Sequence, residues 1–277
     1  MRISLSMWWT HLPGIAATLV IMLATLVPTG AMAICQIVAD APYRPNPKKV
    51  ALAPNEVQIR YIGHSTFELE TPAGIRIATD YNDSFKPAIP PNVATMNGAH
   101  STHYTLNPDP SIEHVLMGWN LEGGPIDHDI LVGDVRIRNI QTNIRGWDGT
   151  SRALGNSIFV FEVADLCIAH LGHLHQRLTD EDLLRLGQID VVFAAIDNSS
   201  TLRHESLMQV LDEIGASLVI PMHFHFFGSL DAFTSRASAD GYKVQMATDP
   251  ILIVKRETLP TERVVYVMQP SGGRGKL

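Results

Sequence analysis

Val57-Gln58-Ile59-Arg60-Tyr61-Ile62 opens the ordered part of the chain, and Gly63-His64 turns it into Ser65-Thr66-Phe67-Glu68-Leu69-Glu70. Apolar and polar side chains alternate along the first run, the period-two pattern of a strand with one buried face. Pro72-Ala73-Gly74 turns the chain again into Ile75–Thr79, which ends at Asp80. Three short strands separated by turn signals predict a β-meander. Further out, Val93–Met96 reads as a strand that runs into Asn97-Gly98, and Ile130–Val132, Val135–Ile140, Ser157–Val163 and Leu166–Ala169 are strand-like as well.

The C-terminal third changes character. Thr179-Asp180-Glu181-Asp182 has the Ser/Thr-x-x-acid form of a helix start, followed by Leu183, Leu184 and Leu186, with Gly187 as the stop. Asp190–Ile196 is a near-continuous apolar strand, Leu202–Ile214 an amphipathic helix ending at Gly215, and Ser217–Ile220 a second buried strand leading to Pro221-Met222-His223. Strands come first and strand–helix alternation follows, which predicts two sheets packed face to face with helices outside.

The chain has 277 residues, 45% of them hydrophobic, enough for one globular domain with a sizeable core. Its net charge is −7 and no run of Lys or Arg could track a phosphate backbone, so nucleic acid is not an expected partner. Nothing in the sequence sets an oligomeric state. At the N-terminus, Arg2, the apolar run Gly14–Val27 and Ala31-Met32-Ala33 form a secretory signal pattern. The run falls short of the roughly 20 residues of a comfortable span. The expected organisation is a signal peptide over 1–33, an extended leader over 34–55, one domain over 56–270 and a flexible tail over 271–277. The mature protein is then periplasmic or secreted with no membrane span; an uncleaved anchor is the alternative. Cys35 and Cys167 could pair in an oxidising compartment, although Cys167 inside an apolar run reads as a buried free thiol.

Twelve histidines are many for this length, and their placement matters more than their number. His100 and His103 follow one strand, His170, His173 and His175 another, and His223 and His225 the last buried one. Strand ends are where a rigid scaffold presents chemistry. A catalytic zinc takes three protein ligands, often imidazoles, plus a water. His114 and His204 read as helix-face residues, His128 as a loop residue and His11 as part of the signal segment.

Gly-His-Ser-Thr-Phe (63–67), Ile-Ala-Thr-Asp (77–80), Ile-Ala-His-Leu-Gly (168–172), the run 178–192 and Val-Ile-Pro-Met-His (219–223) resemble, in that order, the metallo-β-lactamase superfamily, most closely its ascorbate-phosphate lactonase branch. The resemblance covers roughly Val57 to His225. It implies an α+β fold, a four-layer αββα sandwich, and a metal-dependent hydrolase. The family's His-x-His-x-Asp-His signature falls on Gly98-Ala99-His100-Ser101-Thr102-His103, so the leading histidine is Gly98 and the carboxylate is Thr102. A mid-chain histidine of the first zinc site is missing, with Asn143 the nearest occupant, and the bridging aspartate falls on His173. His223 is unchanged.

What the resemblance then implies is one metal instead of two, zinc or another divalent transition metal, held by His103, His173 and His223. His100 is a fourth ligand or an adjacent proton carrier. His100 or His175 would carry the proton in catalysis, and Asp197 is a remaining candidate carboxylate; Asp80 reads as an acceptor behind the site. His170 and His175 bracket His173 and are expected to fix its ring, and Gly74, Gly155 and Gly172 read as turn residues. The expected function is hydrolysis of a small ester, lactone or phosphoester through a metal-bound water. The alternative is a non-catalytic relative that binds metal or ligand after losing the dinuclear site.

Overall fold

The computed structural model describes residues 52–146, 148–224 and 228–271. The signal segment, Cys35, most of the leader and His225 lie outside the described residues. In chain order the first nine strands are β1 (Val57–Gly63), β2 (Thr66–Glu70), β3 (Arg76–Ala78), β4 (Val93–Met96), β5 (His114–Met117), β6 (Asp129–Val132), β7 (Val135–Arg145), β8 (Ser151–Val163) and β9 (Leu166–His170). Then come α1 (Asp180–Leu186), β10 (Val191–Ala195), α2 (His204–Ile214), β11 (Leu218–Met222) and α3 (Ser229–Ala239). The chain closes with β12 (Lys243–Met246), β13 (Ile251–Val254) and β14 (Val264–Val267).

One sheet runs β13-β1-β2-β3-β4-β5 and the other β12-β14-β11-β10-β9-β8-β7-β6. In β1, Val57, Ile59 and Tyr61 are buried while Gln58 and Arg60 are half-exposed, as the alternation requires. β9, β10 and β11 are parallel neighbours buried at every position, which is what a sheet covered on both faces demands of its strands. Helix α2 turns Leu207, Met208, Val210, Leu211 and Ile214 inward. Between the sheets, the Phe67 and Phe193 rings stack with centroids 4.3 Å apart. Burial of each such ring contributes about 1.5–3 kcal/mol. The result is the α+β sandwich of two mixed sheets expected, with α1 and α3 packed on the eight-stranded sheet. No helix among the described residues is long and apolar enough to cross a membrane.

Helix α1 starts as read: the Thr179 hydroxyl accepts from Asp182 N–H, and the Asp182 carboxylate accepts from Thr179 N–H in return. Other expectations need correction. His114 opens strand β5 and is not on a helix, because four residues pair in parallel with β4 there. Gly155 lies inside β8 and is no turn residue: a Cβ would stand 2.7 Å from the Ile144 side chain, so the glycine serves close approach of β7 and β8. Cys167 is disulfide-bonded, not a free thiol, with its partner outside the described residues. Helix α3 and strands β12 to β14 fall where no pattern was read.

Gly172, by contrast, does turn the chain. Its φ is +60°, and a Cβ would overlap the side-chain amides of Asn156 and Asn97. The Asn156 amide holds the segment that carries His173, since its Oδ1 accepts from His173 N–H at 2.7 Å and its Nδ2 donates to the Leu171 carbonyl at 3.0 Å. Gly172→Ala is expected to cost about 3 kcal/mol, from left-handed strain plus overpacking. Urea denaturation measures it; a midpoint equal to wild type would show that the turn relaxes freely.

Candidate metal centre

The ends of four strands meet at one point between the sheets. His64 follows β1, His100 and His103 follow β4, His173 follows β9 and His223 follows β11. Potential ligand atoms of His64, His100, His103 and His223 all lie within 4.8 Å of one another. The His173 ring adjoins the same group, with centroids 5.1, 5.0 and 5.2 Å from those of His100, His103 and His223. The four histidines anticipated as ligands are thus brought together, and His64, read only as part of a turn, joins them. The signal was available: His64 sits at a strand end, the same position that singled out the others.

Each ring is aimed by its neighbours. His103 Nδ1–H donates to Asp80 Oδ2 at 2.5 Å, and Asn97 Nδ2 holds the other oxygen at 2.9 Å. A carboxylate on Nδ1 fixes the tautomer and leaves Nε2 with a lone pair facing the cluster. His100 Nδ1 lies 2.8 Å from the Thr102 hydroxyl, so Thr102 serves to orient His100. His223 Nδ1 faces Asp197 Oδ1 at 4.0 Å. Its Nε2 lies 3.4 Å from His100 Nε2.

That last separation bears on whether a metal fits. An ion about 2.0–2.1 Å from each nitrogen of a tetrahedral set leaves its donors about 3.3 Å apart. His103 Nε2 and both ring nitrogens of His173 are buried without a hydrogen-bond partner among the described residues. Burial of such atoms is costly unless something fills their lone pairs. The donor set therefore suits a metal that favours imidazole, such as zinc.

The electrostatics agree. Burial, reinforced by repulsion from neighbouring histidines, holds His103 and His173 well below the usual imidazole range, and burial lowers His100 too. The rings are neutral near pH 7, the form in which imidazole ligates. Burial pushes the Asp80 carboxyl up, with His170, Asn97, Ser65 and His223 drawing it back. Burial acts on Asp197 in the same upward sense, but bonds from Ser200, Thr201 and Ser199 and the charge of His223 outweigh it, and the carboxylate stays below its usual range.

The remaining expected residues fall outside the cluster or beside it. His175 Nε2 lies 2.9 Å from Ser151 Oγ. His170 Nε2–H donates to the Ser65 carbonyl at 2.9 Å while its Nδ1 accepts from Gly172 N–H at 3.2 Å, so it fixes the backbone leading to His173 and not that ring. Asn143 caps Leu154 N–H. His204 and His128 donate to backbone carbonyls of Ile196 and Met117. The backbone is itself unusual here: His64, Asp80 and His223 have φ of 56°, 43° and 61°. Such a conformation persists only where the surroundings over-determine it, and three of the seven left-handed non-glycine residues among the described residues stand at this cluster.

A strand-end histidine cluster on a two-sheet α+β sandwich is the arrangement of the metallo-β-lactamase class of fold. Residues 58–223 match the family model described as the beta-lactamase superfamily domain, and the chain belongs to that family. A UPF0173-family protein of Pyrococcus abyssi is 25% identical over 135 residues, which is 48% of this chain; the chain spans 56% of that relative. A Thermotoga maritima protein assigned as a Zn-dependent hydrolase of the metallo-β-lactamase superfamily shares 25% identity at a TM-score of 0.56, over 78% of this chain and 100% of its own. Igni18, a metallo hydrolase of Ignicoccus hospitalis, shares the fold at 16% identity and a TM-score of 0.52, over 72% of this chain and 99% of its own.

Two outcomes follow from this geometry. Gly98, expected from the resemblance to stand at the leading-histidine position, is packed closed: a Cβ would lie 2.8 Å from the Trp119 ring and 2.9 Å from the Gly155 carbonyl. Gly98→His is expected to lower the melting temperature without adding a metal equivalent, as thermal unfolding and elemental analysis will read; an extra equivalent contradicts it. The second concerns pH. Histidines whose folded pKa is depressed bind fewer protons folded than unfolded, so stability is present above the unfolded value of about 6.5 and is lost as pH falls through the lowered folded values. Urea midpoints of the metal-free protein should therefore drop between about pH 8 and about pH 5, and less so in His103→Asn.

Proposed function

We propose that the protein is a metal-dependent hydrolase acting on a small ester, lactone or phosphoester, with one ion, zinc in first place, held by His100, His103 and His223. The observation that carries this is the 3.4 Å approach of two imidazole Nε2 atoms inside a group of four histidines. Such an ion, when bound, acidifies a water and polarises the carbonyl or phosphoryl oxygen under attack.

The chain's own residues divide the remaining work. Asp80 keeps the Nδ1 proton on His103, and Thr102 orients His100. Neither carboxylate beside the cluster is open to act as a base. Asp80 is engaged by His103 and Asn97, and Asp197 by Ser199, Ser200 and Thr201. The proton therefore passes to an imidazole. His173, with both nitrogens unengaged among the described residues and an equal reach to the three ligands, is the base or the closing ligand. His175 stands further out, on Ser151.

The same engaged carboxylates favour a second reading, a protein that binds metal without turnover. Elemental analysis beside ester, lactone and phosphodiester panels separates the two. One equivalent of metal with hydrolysis that His223→Ala abolishes is the expected result. One equivalent with no turnover on any panel selects the binding reading, and two equivalents end the one-ion account. His173→Ala then sorts its two roles: metal kept and turnover lost marks a base, metal lost marks a ligand.

Export through the N-terminal segment belongs to the same proposal, on the strength of that segment's signal pattern.

A further inference from the structure

We infer that His64 is itself a metal ligand, joining His100, His103 and His223 in a set of four imidazoles with no carboxylate, which leaves His173 as the base and a fifth position for the water. The inference rests on the metal-binding reading above and goes beyond it. Three observations converge on His64. Its ligand atom lies within 4.8 Å of those of His100, His103 and His223. Its ring is 4.1 Å from that of His223, the shortest centroid separation in the cluster, and 5.1 Å from that of His103. It is buried, and it keeps a left-handed backbone with φ of 56°, a conformation a histidine rarely takes.

The surroundings explain how that conformation is kept. The His64 carbonyl accepts from the His223 N–H at 2.8 Å and from the Tyr61 hydroxyl at 2.9 Å. Gly63 before it, at φ +148°, lies so close to Phe85 that a Cβ would stand 2.7 Å from the ring. Phe85 in turn stacks on His64 with centroids 5.8 Å apart. The imidazole is thus directed into the cluster from a backbone tied to that of His223 itself.

Chemistry gives the set a distinct preference. Neutral nitrogen donors suit zinc, copper, nickel and cobalt, whereas magnesium, calcium and manganese favour carboxylate and water oxygens. The site is expected to take the former group and to leave the latter unbound.

The test is the full chain with His64→Asn, a residue that tolerates a left-handed backbone while removing the imidazole. His64→Gly serves as a second variant with the same backbone tolerance. Zn(II) affinity is measured by chelator competition, Co(II) binding by its visible absorption spectrum, and folding by thermal unfolding of the metal-free proteins. Loss of an outer partner of a ligand weakens metal binding about 10–100-fold, so loss of a ligand is expected to weaken Zn(II) by more than about 100-fold and to alter the Co(II) bands. Added imidazole should restore the Co(II) spectrum of His64→Gly. Unchanged affinity and spectrum in both variants, with metal lost from His103→Ala, overturn the His64 assignment and leave the metal centre standing. A wild-type chain that takes up neither Zn(II) nor Co(II) overturns both.

Discussion

The carbonyls of His64 and Ser65, at the turn between β1 and β2, are reached from the opposite sheet by the backbone N–H of His223 and the ring of His170. These two bonds tie strand ends of one sheet to strand ends of the other. Around them the Phe67–Phe193 stack fills the space between the sheets, and the histidine-bearing strand ends are held in register with one another. Side chains on four separate strand ends gain a common focus only because the backbones beneath them are tied across the gap. Precision of this kind is what metal ligation requires of a scaffold.

Burying several neutral imidazoles together is unfavourable unless their nitrogens are occupied. The chain deals with one nitrogen of most rings internally: Asp80 for His103, Thr102 for His100, Asp197 at longer range for His223. The opposite nitrogens of His100 and His223, and Nε2 of His103, are left facing inward. The carboxylates thus sit behind the ligands, in the layer that orients imidazole.

Much of this was legible from residues alone. Alternation in β1 and β2, the unbroken apolar runs of β10 and β11, and the Thr179/Asp182 capping box each encode local structure without help from distant partners. What escaped depended on partners far along the chain. β12 is largely exposed and β5 has only four residues, so neither carries a pattern strong enough to separate strand from helix. His64 was hidden by its own neighbour, since Gly63 makes Gly63-His64 read as a plain turn. Gly155 was misread for a related reason: a glycine that admits a neighbouring strand looks, in sequence, like one that bends the chain.

The packing at Gly98 limits what a single substitution can reach. Trp119 and the β8 backbone fill the space a side chain at position 98 would need. A further ligand there could not be installed alone, since position 119 would have to shrink and the approach of β8 reopen in the same step. The metal chemistry open to a designer working on this scaffold is therefore the one its present histidines allow.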